Sequence, residues 1–533
     1  MWRRWRLSVG AISALSALAP IAATDSLRSL THGNQITDSK SETTEDPNLD
    51  PDGKARLFSS HYRNLKKADF LIVGGGTAAF AAIKVLKDEA DRNCVGNILM
   101  VTAEHHAPYM RPPLSKQLWS SSDDLKFTNF DGKRQSILYK DESFYSDHPD
   151  VELKCDESVV KIDAASKTAV LSSGEVIQFS KCLLATGACP KDLDLLNKHP
   201  SHIVRENHSV FRTVEDFKQL KAKLRPNSKV AVIGGGYLGC ELSIALAALR
   251  DKNIEVVQII PESGYMGLVL PEFLSKWIGS KVKSMGVKFR EKTRLKSVNA
   301  LFDESHAMEL DLTNGEKVRA DHVIVAIGVE PSTQLADSAG LEVDKKLGGF
   351  FVNSELESSA PDIWAAGDAC SFYDTKMKCR RRVEHHDHAV VSGKLAAKNM
   401  LSSANSCNEK QGINNGNASK SPEAFHHQSM FWGDFGDSYG YEAIGLVDSK
   451  LPVKAYFKQG NSFVVVESGK EVQSDLDLSE GVLFYLDPSD REAKKIVGVV
   501  CWNMFGKIPF ARNIVGENFS ENDTDKLIKN FIV

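Results

Sequence analysis

Two glycine clusters carry the clearest chemistry in this sequence, Gly74-Gly75-Gly76-Thr77-Ala78-Ala79 and Gly234-Gly235-Gly236-Tyr237-Leu238-Gly239. Each has the form G-x-G-x-x-G/A, follows an apolar run (Phe70–Val73 or Val230–Ile233) and leads into a helix-forming stretch. In such a loop the first glycine permits a tight turn. The second lets a pyrophosphate approach backbone N–H groups at a helix start, and the small third residue allows close helix–strand packing. Each cluster also has an acid just after the next apolar run, Glu104 beyond Ile98–Val101 and Glu262 beyond Glu255–Ile260, placed to accept hydrogen bonds from a ribose diol. A carboxylate at 262 would repel a 2′-phosphate, so NAD(H) is expected there rather than NADP(H). One glycine-rich turn is a weak signal, but two, each with its strand, helix and acid, predict two dinucleotide sites.

A third element divides the cofactors. Pro361–Ala366 ends in Gly367-Asp368, where an aspartate can bond a ribitol hydroxyl, and Ala185-Thr186-Gly187 closes an earlier apolar run. The chain order is first fingerprint, Ala-Thr-Gly, second fingerprint, Ile327-Gly328, then Gly367-Asp368. That order resembles the two-dinucleotide-binding flavoproteins, whose FAD domain is split by the NAD domain. Other chemistry has little support. The nine cysteines form no C-x-x-C pair and no regular ligand spacing. The run Glu384-His385-His386-Asp387-His388 places His385 and His388 on one helix face without further zinc ligands nearby, so no metal is expected.

The elements that position these groups follow from periodicity. Apolar runs alternate with helical stretches from Lys66, and the rhythm restarts at Val230, which predicts βαβ units. A polar stretch, Ser402–Lys420, reads as a surface loop, and Ser462–Glu467, Gly481–Leu486 and Ile496–Trp502 read as an antiparallel sheet closed by a helix over Asp523–Ile532. With 533 residues the chain exceeds one core. The expected division is 1–65 targeting segment and tether, 66–203 first part of the FAD domain, 204–329 NAD domain, 330–428 second part of the FAD domain with the loop at 402–420, and 429–533 C-terminal domain. The net charge of -4 advertises no global affinity for nucleic acid, so any such binding must be local. The candidate patch is Lys376–Arg382, with five cations in seven positions, which reads as a nuclear-localisation signal or a DNA-phosphate contact, with a solvated loop as the alternative. Arg3, Arg4 and Arg6 before an Ala/Ser/Leu-rich run read as a mitochondrial transit peptide, with a secretory signal or a membrane-associated segment as alternatives.

The segments Pro108–Lys116, Gly234–Leu242, Val383–Val390 and Met430-Phe431-Trp432 are similar to segments of the apoptosis-inducing factor family, over roughly Phe70 to Ile514. The resemblance implies a glutathione-reductase-like α/β fold: two Rossmann-type domains, the FAD one discontinuous, plus an α+β C-terminal domain. It implies that FAD is held by Gly74, Gly75, Gly76, Thr77, Ala78, Glu104, Arg111, Lys116, Val160, Arg212, Asp368, His385 and His386. The NAD site it implies comprises Gly235, Gly236, Tyr237, Leu238, Glu262, Gly328, Glu384, His385, Trp432 and Glu442. Lys116 would pair with Glu241 beside the flavin, and Tyr237 would face the nicotinamide. Leu268 departs from the family, which commonly has a lysine there, and a weaker hold on NAD is the expected result. Glu467–Glu480 stands where the family carries a longer insertion.

The activity so implied is slow hydride transfer from NADH to FAD in the mitochondrial intermembrane space or at the inner membrane, with redox-dependent homodimerisation and respiratory-chain maintenance. A partner in intermembrane-space import, nuclear entry on release, DNA binding and caspase-independent death complete the implied picture. The alternatives are a ferredoxin-, rubredoxin- or monodehydroascorbate-type NADH reductase, and a scaffold or DNA-binding death effector with incidental redox activity.

Overall fold

The computed structural model describes residues 65–532 except 94–95, 130–131, 250, 303–306, 411–420, 474 and 490–493. The predicted targeting segment and nearly all of its tether lie outside the described residues. Strand Lys66–Val73 lies at the centre of the first sheet because its C-terminal half is apolar on both faces, as parallel strands covered by helices must be. It pairs in parallel with Ile98–Val101 on one side and Val176–Leu184 on the other, and Val151–Lys154 extends the sheet beyond Ile98–Val101. Val176–Leu184 changes partner along its length. Its N-terminal residues pair antiparallel with Thr168–Leu171, and its C-terminal residues pair in parallel with Ile363–Ala365, so this sheet is completed by a strand from far along the chain. Helices Thr77–Asn93 and His386–Lys410 pack together so closely that a Cβ at Gly393 would lie 2.2 Å from the Ala78 carbonyl oxygen.

The second parallel sheet runs in the order His208–Ser209, His322–Val325, Lys229–Ile233, Glu255–Ile259, Val287–Arg290, beside a small antiparallel sheet of Leu295–Ala300, Met308–Leu312 and Lys317–Ala320. Its central strands are also largely buried. Beyond it, six antiparallel strands form the C-terminal sheet, in the order Met430–Phe435, Tyr439–Gly445, Ile496–Trp502, Gly481–Leu486, Val453–Gln459, Ser462–Glu467. The fold is thus α/β, with one mixed and one parallel sheet and an added α+β unit.

Two expectations need correction. The polar stretch from Ser402 is not loop from its start, since helix His386–Lys410 continues through it; residues 411–420 lie outside the described residues. A helix nucleated by a long buried face propagates into polar sequence, and this one buries Ala396, Ala397 and Met400. The closing helix is also broken, into a 3-10 turn Glu521–Asp523 and short helices Thr524–Leu527 and Lys529–Ile532. Buried Leu527, Ile528 and Phe531 hold these turns on the sheet.

Candidate functional site

The two glycine loops are built alike. Gly74 N–H donates to the Val101 carbonyl at 2.8 Å and Gly234 N–H to the Ile259 carbonyl at 3.0 Å, each tying its loop to the neighbouring strand. Both residues have positive φ, 111° and 125°, and an added Cβ would lie 2.3 Å from Ala185 O or 2.2 Å from Ala326 O, so only glycine fits. At Gly75 and Gly235 a Cβ would meet Thr102 Oγ1 at 2.5 Å or Glu262 Oε2 at 2.6 Å. Gly76 and Gly236 differ: a Cβ there would meet no protein atom within 4 Å. Those two positions leave the helix starts at Thr77 and Tyr237 open to a ligand, and no side chain caps the second.

Both loops line one cleft of about 1610 Å³, above the roughly 300–1,000 Å³ of a typical single-ligand pocket. The first half of its wall includes Gly74 to Ala78, Glu104, Arg111, Lys116, Val160, Arg212, Asp368 and His386, and the second half Gly235, Gly236, Leu238, Glu262, Gly328, Glu384 and Trp432. Tyr237 and Glu241, on the helix that starts the second fingerprint, line it too. Two expected residues do not. His385 is buried with its ring edge-on to Phe431 at 5.0 Å, and Glu442, half-buried, lies beside Trp432, its partner across the antiparallel ladder. Glu442 accepts from Gly506 N–H at 2.8 Å, and burial pushes its carboxyl up to about 7.

The acids of the two loops sit in different surroundings. Burial raises the Glu104 carboxyl, but the Arg111 guanidinium and hydrogen bonds from Arg111 and the Tyr109 hydroxyl outweigh it and hold it below the usual carboxylate range. Arg111 also donates to the Arg212 carbonyl at 3.1 Å, and Arg212 pairs with Asp368 at 2.9 Å. Glu262 has no such partner: its Oε2 is buried and finds no hydrogen bond among the described residues, and burial raises its carboxyl. An unpaired acid beside a glycine cradle suits a ribose diol.

Lys116 sits between two 3-10 turns, Pro112–Ser115 and Gln117–Ser120, and its side chain is 10% exposed. Its Nζ lies 2.9 Å from Glu241 Oε1, 3.8 Å from Asp434 Oδ2 and 5.3 Å from the Trp432 ring centre. Ser115 Oγ donates to the other Glu241 oxygen at 2.7 Å. Burial opposes the lysine charge, but Glu241 and then Asp434 outweigh it and hold the ammonium above its ordinary pKa. Asp434 is pushed up to about 6 by burial, against the pull of Lys116. On the other side, the Tyr139 hydroxyl bonds Thr77 Oγ1 at 2.9 Å and approaches His386 Nε2 at 3.3 Å, and burial lowers the His386 imidazole to about 4.

Sequence reasoning missed Asp434, Ser115, Tyr109 and Tyr139. Asp434 carried a signal, because it lies two residues after Trp432 on a strand and so shares its face. The basic run Lys376–Arg382 is not a free cationic surface. Arg380 stacks on Phe351 at 3.3 Å and bonds two carbonyls, Arg381 pairs with buried Asp374 at 2.8 Å, Arg382 pairs with Glu384 at 2.6 Å and Lys376 with Glu517 at 2.8 Å. Of the five cations only Lys378 is left to solvent.

Residues 68–393 match the family described as pyridine nucleotide-disulphide oxidoreductase. Residues 412–466 and 458–517 match that described as apoptosis-inducing factor, mitochondrion-associated, C-term. The chain is 34% identical over 515 residues to the putative apoptosis-inducing factor 1, mitochondrial, of Drosophila melanogaster, covering 87% of this chain but 65% of that protein. It is 32% identical over 498 residues to the apoptosis-inducing factor 1, mitochondrial, of Dictyostelium discoideum, covering 92% and 86%. In structure it is similar to a ferredoxin reductase from Rhodopseudomonas palustris, with a TM-score of 0.66 at 23% identity over 85% of this chain and 95% of the other.

Proposed function

From the chain's membership of the pyridine nucleotide-disulphide oxidoreductases, and within them of the apoptosis-inducing factors, we propose that it is a mitochondrial NADH oxidoreductase whose reduction controls its self-association. Its cofactors are FAD and NAD(H). The observation that carries the reading is that both glycine cradles and the Lys116–Glu241 pair line the same cleft. In this proposal residues 66–203 with 330–428 hold FAD, residues 204–329 hold NAD(H), and residues 429–533 close the site with Trp432.

FAD and NAD(H) bound in this cleft would supply hydride-transfer chemistry. This chain's residues position and tune. Gly76 and Gly236 admit the two pyrophosphates, Arg111, Arg212 and Asp368 fix the first cofactor's sugar and phosphate groups, and Glu262 takes the second ribose. Lys116 keeps a positive charge on the wall, and Glu241 fixes its ammonium in place. Tyr237 and Trp432 flank the same wall with flat surfaces for a nicotinamide.

Death signalling belongs to this proposal through the relatives' names, which describe apoptosis-inducing factors, whereas release and nuclear DNA binding rest on the family resemblance alone. A phosphate-binding role for Lys376–Arg382 has less behind it, because the internal bonds of four of its five cations must break first. Anaerobic titration with NADH tests the core of the proposal, following long-wavelength charge-transfer absorbance and molecular mass together. A persistent reduced complex that dimerises is expected. Rapid turnover by a monomer on ferredoxin, cytochrome or ascorbyl radical would replace it with an ordinary reductase.

A further inference from the structure

The cleft wall beside Glu262 carries an exposed apolar side chain from one unit and a lysine from another. Leu268 is 42% exposed and lines the cleft shortly after Glu262, yet it offers nothing to a ribose or a phosphate. Lys450 lines the same cleft from a different unit, the connection between strands Tyr439–Gly445 and Val453–Gln459 of the C-terminal sheet. That connection is fixed to the Leu268 segment. Ser449 N–H donates to the Leu268 carbonyl at 3.0 Å, and the Tyr485 hydroxyl donates to the Val269 carbonyl at 2.8 Å. Asp448 Oδ1 accepts from Lys450 N–H at 2.9 Å and sets the turn from which the lysine projects. Arg294 is the other exposed cation on this part of the wall, and no carboxylate pairs with Lys450 among the described residues.

We infer that Lys450 contacts the phosphates of the dinucleotide held by the second fingerprint, so that the C-terminal unit supplies the cation that the wall at Leu268 lacks. The inference rests on the proposed binding of NAD(H) at Gly234–Gly239. A lysine suits this role because its ammonium is a point charge on a flexible stem, able to reach phosphate oxygens from a fixed backbone without bidentate geometry. Glu262 takes the ribose, Lys450 the phosphates, and the division places an acid and a base on separate units. The bound dinucleotide then bridges two units that are already hydrogen-bonded to each other.

Calorimetric titration of the full-length, FAD-loaded protein tests this, with ADP-ribose, which carries both phosphates but no nicotinamide, and with adenosine, which carries no phosphate, at low and at physiological salt. Lys450→Ala is expected to weaken ADP-ribose binding about threefold to tenfold, as loss of one charge-assisted contact does, and to reduce its salt dependence. Adenosine binding should not change. Adding Leu268→Lys to Lys450→Ala should recover most of the lost affinity, an outcome that a folding defect at residue 450 would not give. If Lys450→Ala matches wild type for ADP-ribose while Gly236→Val abolishes binding, Lys450 has no part in the site and the inference falls, with the dinucleotide reading intact. If wild type itself binds no ADP-ribose, both fall.

Discussion

One ammonium, Lys116, faces two buried carboxylates, Glu241 at 2.9 Å and Asp434 at 3.8 Å. Replacing the lysine removes the cation that both acids share and leaves them buried. Lys116→Ala should therefore retain FAD yet slow flavin reduction by NADH by about 100-fold in stopped-flow measurements, the scale of losing one preorganised charge contact. The two acids differ in kind. Asp434 is pushed up to about 6 by burial, so the folded protein keeps a proton that the unfolded chain releases near pH 4. Stability should then fall as pH rises from about 4 to about 6 and level off above it. Asp434→Asn should remove up to about 3 kcal/mol of that fall, read from urea melts across the window. Lys116 and Glu241 were legible because each belongs to a long motif. Asp434 was legible only in part: its place two residues after Trp432 sets its face of the strand, but not the lysine that the fold brings to it from more than 300 positions earlier. His385 and Glu442 show the reverse, residues expected at the site whose own side chains do not line the cleft.

At the scale of elements the two glycine loops repeat one construction, yet they serve different cofactors in the proposed function. A Cβ at Gly76 or Gly236 meets no protein atom within 4 Å, and a branched side chain built on it would occupy the space proposed for a pyrophosphate. Gly76→Val should thus yield folded protein without yellow colour. Gly236→Val should yield yellow protein that NADH no longer reduces, and absorbance spectra before and after NADH distinguish the pair. These loops were readable because each pattern couples an apolar strand to an acid at the next strand's end. The change of partner along Val176–Leu184 was not readable, since both halves carry buried apolar residues and pairing depends on chain segments far apart. Helix through Ser402–Lys410 was missed for a related reason: Ser and Asn favour caps and turns, and only packing of the preceding turns overrides that tendency.

Over the whole molecule, the basic run ties units together. Arg381 pairs with Asp374, whose side chain is 2% exposed, and also reaches the Gly445 carbonyl of the C-terminal sheet at 3.3 Å. Arg381→Ala should cost about 2 kcal/mol, since it leaves the buried Oδ2 of Asp374 without its cation while Gln428 and the Lys376 and Met377 N–H groups still bond Oδ1, and should lower the melting temperature by several degrees in scanning calorimetry. Lys378→Ala, at the exposed position, should change stability by less than about 0.5 kcal/mol. Charge counting alone had made these residues equivalent. The strand Ile363–Ala365 has a consequence for how the chain is made, because it completes a sheet begun by Lys66–Val73. At about 5–20 residues per second, the ribosome delivers it on the order of tens of seconds after Val176–Leu184. Every strand of the second parallel sheet has emerged by Val325, well before that partner arrives. The inserted unit is therefore the one positioned to fold first, and until Ala365 appears the nascent first sheet carries an open apolar edge that the cell must shield.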